Sequence, residues 1–138
     1  RKADELELGY RTSVMQRNGD IIIKAKFTLR KGNEEAIQNT MDELMRKREE
    51  SQPLEFPSAG SIFKRPVGHY TGKLIQDANL KGYQIGGAQV SLKHAGFIVN
   101  TGNATSSDIL NLIKHIQTEV KHRFGAELET EVRLIGDF

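Results

Sequence analysis

The chain predicts an α+β fold, and three stretches carry that reading. Residues 21–30 alternate apolar and polar side chains, the period of a strand with one dry and one wet face. Residues 105–125 hold an apolar stripe at helical spacing, framed by an N-cap signal and a closing glycine. From Glu127 the period returns to two. Strands and helices interleave through short links, without an internal repeat.

Taken in order, the first element is expected to be a hairpin. Asn18-Gly19 is a two-residue turn signal, because both central positions of a type I′ turn need positive φ. Arg11, in "ELGYRTS", falls at the outset of the first strand, opposite Tyr10 in the alternation. After the turn, Ile21, Ile23, Ala25, Phe27 and Leu29 alternate with Lys24, Lys26, Thr28 and Arg30. Lys31-Gly32 ends this strand, and Asn33 reads as an N-cap with Glu34 and Glu35 in the first turn. Ile37, Met41, Leu44 and Met45 then share one face of a helix reaching to about Arg48.

Residues 51–68 are irregular, hold all three prolines, and read as the boundary between two structural units. A short helix is expected over 71–79, closed by Gly82, and strands at 83–85 and 96–99 flank a loop carrying Gly86-Gly87. Thr105 caps the long helix, and Asp108 completes a carboxylate capping box. Ile109, Leu112, Ile113, Ile116, Val120 and Phe124 form its apolar stripe, and Gly125 stops it. In the last strand Leu128, Val132 and Leu134 point one way, while Glu127, Glu129, Glu131 and Arg133 point the other.

Composition narrows the function classes. The 138 residues suffice for one ordinary domain or two small pieces sharing an interface, with a core that needs no metal to form. There is no cysteine, which removes disulfides, thiolate metal sites and cysteine nucleophiles, and fits a reducing compartment. Twenty Lys and Arg against 18 Asp and Glu leave a net charge of +2, too balanced for a nucleic-acid footprint. No apolar run reaches the length of a membrane span, and no basic-then-apolar leader opens the chain. A cytoplasmic protein with neither nucleic-acid nor membrane partners is expected. The first residue is Arg1 rather than methionine, as in a processed product or a fragment.

Several motifs fail on inspection. "GHYTGK" (residues 68–73) has the wrong glycine spacing for a phosphate loop and Leu74 where the metal-binding hydroxyl belongs. Gly86-Gly87 lacks the third glycine of a dinucleotide fingerprint. Ser61 is flanked by Ala59 and Phe63, where a nucleophile elbow requires glycines. His115 and His122 read as a solvated helix face without a metal-ligand partner. Arg11, Ser61 and Glu131 hold more interest. Singly, each has an ordinary explanation: a strand cation with an acidic partner, a turn serine capping backbone, a solvated acid.

Together, and in order, they sit in a recognisable series. "GYRTS" (residues 9–13), "QPLEFPSAGSIFKRP" (52–66), "GGAQVSLKHAGFIVNTGNAT" (86–105) and "FGAELETEVRLIG" (124–136) resemble the bacterial UDP-N-acetylenolpyruvoylglucosamine reductases. These are flavoenzymes that make UDP-N-acetylmuramic acid for peptidoglycan. The resemblance runs over essentially the whole chain and, with no inserted tyrosine-bearing loop after Gly68, points to the family's shorter type. It implies catalytic roles for Arg11, for Ser61 as proton donor to C2 of the enolpyruvyl group, and for Glu131. It further implies Tyr10, Lys64, Arg65 and His94 at the substrate, with Arg65 replacing the asparagine of many relatives in a charge-assisted contact to the diphosphate. Arg11 and Ser13 are implied at the cofactor, and no metal is expected.

Family members are much longer, and their N-terminal flavin-binding domain has no counterpart here. The resemblance therefore implies that residues 1–54 end the second FAD-binding α+β subdomain. Residues 55–138 would then form the small α+β substrate-binding domain, with the last strand (127–136) returning Glu131 to the site. The implied partners are UDP-N-acetylglucosamine-enolpyruvate, FAD held mainly by the missing domain, and NADPH as hydride donor. The piece alone is expected to bind FAD poorly and not to turn over. The other class of function that fits is a stand-alone nucleotide-sugar binding module without redox activity.

Overall fold

The structure is a computed structural model and describes residues 1–136. The chain divides into two compact units, Arg1–Ile37 and Gln38–Phe138, with the division inside a helix.

The first unit begins with a 3-10 turn, Ala3–Leu6, and holds one short helix, α1 (Val14–Asn18). Between them Gly9 and Thr12 exchange both backbone hydrogen bonds, at 3.1 and 3.3 Å, across a two-residue turn formed by Tyr10 and Arg11. Arg11 therefore lies at a turn tip and not in a strand, and its φ of 55° is in the left-handed region. The expected hairpin at Asn18-Gly19 is absent. Gly19 has the positive φ that the turn signal requires, but uses it to close α1, its N–H returning to the Met15 carbonyl. Asn-Gly serves either end, because left-handed geometry is the common requirement.

The alternating stretch that follows is also not a strand. Residues 20–33 have no regular structure, and Ile23 and Phe27 are 95% and 80% exposed. Alternation supplies two faces, but a strand also needs a ladder partner. Among the described residues no backbone hydrogen bond ties 21–32 to another segment.

Helix α2 (Glu34–Ser51) starts where expected, with the Asn33 carboxamide accepting from the Ala36 N–H at 2.8 Å. None of its side chains is buried, and Ile37, Met41, Leu44 and Met45 are half exposed or more. Its local support is charge pairing one turn apart, Glu43 with Lys47 and Arg46 with Glu50. Such pairs contribute about 0.3–0.5 kcal/mol each.

The second unit is built on a four-stranded antiparallel sheet in the order β1-β4-β3-β2. Its strands are β1 (Ser58–Ser61), β2 (Gln84–Ile85), β3 (Ala88–Val90) and β4 (Phe97–Asn100). Two helices join it, α3 (Thr71–Asp77) and α4 (Ser106–Phe124), with α4 packed on β2, β3 and α3. Four residues of the α4 stripe behave as their spacing predicts, Leu112, Ile113, Ile116 and Val120 being buried with Ile75, Val90, Ile98 and Leu128, whereas Ile109 is half-buried and Phe124 at the helix end is exposed. Burying each such side chain contributes about 1.5–3 kcal/mol before conformational entropy is counted.

Both ends of α4 also follow the sequence. Thr105 Oγ1 accepts the Asp108 N–H at 3.1 Å, Asp108 Oδ2 accepts the Thr105 N–H at 2.9 Å, and Gly125 closes the helix in the left-handed region. The Gly86-Gly87 corner of the β2–β3 hairpin docks against this cap. A Cβ on Gly87 would fall 2.3 Å from the Gly102 carbonyl oxygen and 2.4 Å from the Ala104 nitrogen, so only glycine fits.

Other expectations shift. Residues 51–68 contain β1, which the sequence reading leaves irregular. β3 is likewise unread from sequence, and Ala78 and Asn79, not Gly82, end α3. Residues 127–136 do not form a regular strand; Thr130 makes one bridge to Phe63, and Leu134 is 54% exposed. His115 is not merely solvated, since its ring stacks on Tyr83 with centroids 4.3 Å apart.

Candidate functional site

Ser61 ends β1, and the geometry of that strand decides where its hydroxyl goes. Ser58 lies opposite Val99 and Ser61 opposite Phe97, so three steps along β1 match two along β4. This is a β-bulge, and Gly60 inside it has φ 84°, which a residue with a Cβ adopts only under strain. The bulge turns the strand end so that Ser61 is exposed while Ile62 and Phe63 enter the core at 2% exposure each. Among the described residues the Ser61 hydroxyl donates only a long bond, 3.4 Å, to the Phe63 carbonyl. A proton held so loosely can be redirected.

Beyond the bulge the chain runs beside the C-terminal segment. Glu131 donates its N–H to the Ile62 carbonyl at 2.7 Å, and Lys64 donates its N–H to the Glu129 carbonyl at 2.8 Å. This pairing brings the half-buried Glu131 to the residue that follows Ser61, although 70 positions separate them in sequence. The Lys64 ammonium pairs with the Glu129 carboxylate across the same rungs.

His94 reaches the same place from the β3–β4 turn. Ser91, 3% exposed, anchors that turn by accepting the Lys93 and His94 N–H groups at 3.1 and 3.2 Å. His94 Nδ1 accepts the Gly96 N–H at 3.1 Å, so in this arrangement the ring proton sits on Nε2. Phe97 meets the ring edge-on, with centroids 5.0 Å apart. Ser61, His94, Phe97 and Gly60 line one open cleft of about 660 Å3. Arg48 and Gln52, at the end of α2, line it too, with Arg48 Nε donating to Gln52 Oε1 at 3.1 Å. The charged 46–50 run has the sequence pattern of a solvated helix end, and only folding brings Arg48 to the border of the cleft.

Arg65 is not among the residues that line this cleft. Arg65 follows Lys64, but its guanidinium stands over the Tyr70 ring, 3.9 Å from the centroid, and Nε donates to the His69 carbonyl at 3.2 Å. Tyr10, Arg11 and Ser13 belong to the first unit. The Arg11 guanidinium is 5.5 Å from the Tyr10 ring centroid, and Ser13 precedes α1 without a side-chain capping bond. Among the described residues no cluster of three or more His, Asp or Glu groups could hold a metal ion.

A family model described as UDP-N-acetylenolpyruvoylglucosamine reductase, C-terminal domain, matches residues 52–135. The chain belongs to this family. The stretch from β1 through α4 to Glu131 is thus the reductase C-terminal domain. Similar proteins include the UDP-N-acetylenolpyruvoylglucosamine reductases of Staphylococcus carnosus, 55% identical over 134 residues, and Clostridium botulinum strain Eklund 17B, 58% identical over 134 residues. Each alignment covers 97% of this chain and 44% of the relative, so the chain spans less than half the length of these curated relatives. The crystal structure of UDP-N-acetylenolpyruvylglucosamine reductase from Thermus caldophilus superimposes with a TM-score of 0.78 at 38% identity, covering 93% of this chain and 46% of that one. The α+β fold of the reductase family is therefore the fold of this chain. Among the described residues no helix is long and apolar enough to cross a membrane.

Proposed function

We propose that the chain is the substrate-binding end of a flavoprotein reductase acting in cytoplasmic peptidoglycan and cell-wall synthesis. The reaction converts UDP-N-acetylglucosamine-enolpyruvate to UDP-N-acetylmuramate, with NADPH as reductant and FAD as carrier. The observation that carries this reading is Ser61, whose loosely held hydroxyl is delivered by a glycine-dependent bulge to a cleft in a chain of this family.

The net change adds hydride to C3 and a proton to C2 of the enolpyruvyl group, replacing its π bond with two C–H bonds. Flavin, when bound, supplies the hydride. The Gly86-Gly87 corner does not fit a flavin pyrophosphate, because it is packed on the Asp108 carboxylate, which would repel a phosphate. Arg11 and Ser13 are the cofactor contacts assigned in this chain, and the rest of the flavin site lies outside it. The chain alone is accordingly expected to bind FAD weakly and to show no turnover.

Ser61 is assigned the proton transfer. A neutral serine is a weak acid, so it must be aimed at C2 and its developing alkoxide must be stabilised. Hydride arrival at C3 spreads negative charge onto the substrate carboxylate, and the Arg11 guanidinium is assigned to offset it. Glu131 either holds the intermediate or, protonated, donates a hydrogen bond to it. Tyr10, Lys64, Arg65 and His94 are assigned to substrate binding, with Arg65 presented to the diphosphate.

The test uses the chain extended upstream to the length of its relatives. A flavin spectrum and substrate-dependent NADPH oxidation are expected, with Ser61→Ala lowering kcat by at least about a hundredfold. Absence of flavin, or normal turnover by Ser61→Ala, would favour a nucleotide-sugar binding module.

A further inference from the structure

We propose that Gly96 is a positioning residue for the reaction: its bare backbone holds the His94 ring in one orientation and one tautomer at the Ser61 cleft. The inference rests on the reductase reading for its kinetic consequence, but not for its structural content.

The geometry around residue 96 is crowded in one direction only. A Cβ there would lie 3.0 Å from His94 Cε1 and 3.2 Å from Nδ1, closer than side chains ordinarily approach, while Ser61 Oγ would be at a comfortable 3.7 Å. An alanine would therefore displace the imidazole and leave the serine in place. Gly72 also borders the ring, since a Cβ there would be 3.6 Å from the same Cε1, and the Phe97 ring meets it edge-on.

Two further bonds show that position 96 is a junction. Its N–H donates to His94 Nδ1 at 3.1 Å, and its carbonyl accepts the Ile62 N–H at 3.0 Å, next to Ser61. The first bond occupies the Nδ1 lone pair, which keeps Nδ1 an acceptor and leaves Nε2–H as the donor. Nothing else holds the tautomer among the hydrogen bonds of the described residues. The buried Ser91 hydroxyl fixes only the backbone of the turn.

The expected consequence is a loss felt at the substrate rather than in the fold. A shift of a few tenths of an ångström in one donor is expected to lower kcat/KM for the enolpyruvyl substrate about tenfold in Gly96→Ala. Because the effect passes through His94, Gly96→Ala added to His94→Ala should change kcat/KM by less than about twofold.

The experiment measures both quantities in the upstream-extended chain and records 15N-resolved NMR of the His94 ring. The result expected is an Nε2–H tautomer in the parent, its loss or mixing in Gly96→Ala, and non-additive kinetics. Additive kinetics, or a His94 ring spectrum unchanged by Gly96→Ala, overturns the proposal. A parent protein without reductase activity would instead sink the reductase reading, while the ring spectrum still decides whether Gly96 holds His94.

Discussion

Arg11 holds a backbone conformation that a side chain resists. At φ 55° its Cβ crowds the neighbouring carbonyl, a cost of about 1 kcal/mol that glycine avoids. Strain of this kind persists where the side chain is needed for something the backbone alone cannot supply. A direct prediction follows for the upstream-extended chain. Arg11→Gly should match or exceed the parent in thermal stability, by up to about 1 kcal/mol, while losing most of its turnover. A variant that is both clearly less stable and still active would show that Arg11 is a structural residue. Ser61 presents the opposite case. Its backbone is relaxed and the strain-prone position has been handed to Gly60 (φ 84°), so Ser61→Ala should cost activity and leave folding untouched. Matching urea midpoints for Ser61→Ala and the parent would check that half of the prediction.

The α4 N-terminus joins sequence, packing and acid sensitivity in one element. The Thr105 backbone N–H and hydroxyl hold the Asp108 carboxyl below its ordinary range of about 3.8. A carboxyl lowered in the folded state stabilises above its unfolded pKa, and that contribution is lost as pH falls through the lowered value. Asp108→Asn should therefore melt below the parent near neutral pH, and the gap should close as the pH drops below about 4. A gap that stays constant into acid would mean that the carboxylate charge contributes nothing.

This element was legible from sequence because its signals are local: a capping pair three residues apart, a stripe at helical spacing, a glycine after the last turn. β1 was not. "SAGS" carries no β-branched or aromatic residue, and becomes a strand only because Phe97–Asn100 supplies its ladder. The converse error occurs at 21–30, where a clean alternation has no ladder among the described residues. The site divides along the same line. Ser61 and Glu131 stood out in motifs, but the rungs that join their segments, the bulge at Gly60 and the entry of Arg48 into the cleft are products of folding.

At the scale of the whole chain, stability is concentrated in the second unit. Sixteen residues between Ile62 and Leu128 make up its hydrophobic core, whereas Val14 is the only buried side chain among the described residues of the first. Local opening follows that inequality, since segments with few buried contacts and no backbone ladder open at little cost. Lys24, Lys26, Arg30 and Lys31 all lie in the exposed 20–33 stretch, and trypsin should cut there first. The expected product starts between residues 25 and 32 and keeps everything through α4, because proteolysis follows the population of the open form. Mass spectrometry of a short, dilute digest would identify it. A first cut between β1 and α4 would mean that the second unit opens more readily than its core implies. The same digest of the upstream-extended chain tests the meaning of the alternation. If Ile21, Ile23, Phe27 and Leu29 form the dry face of a strand that pairs with upstream residues, Lys24 and Lys26 become protected there. Unchanged cleavage would leave the stretch a linker whose alternation has no structural use.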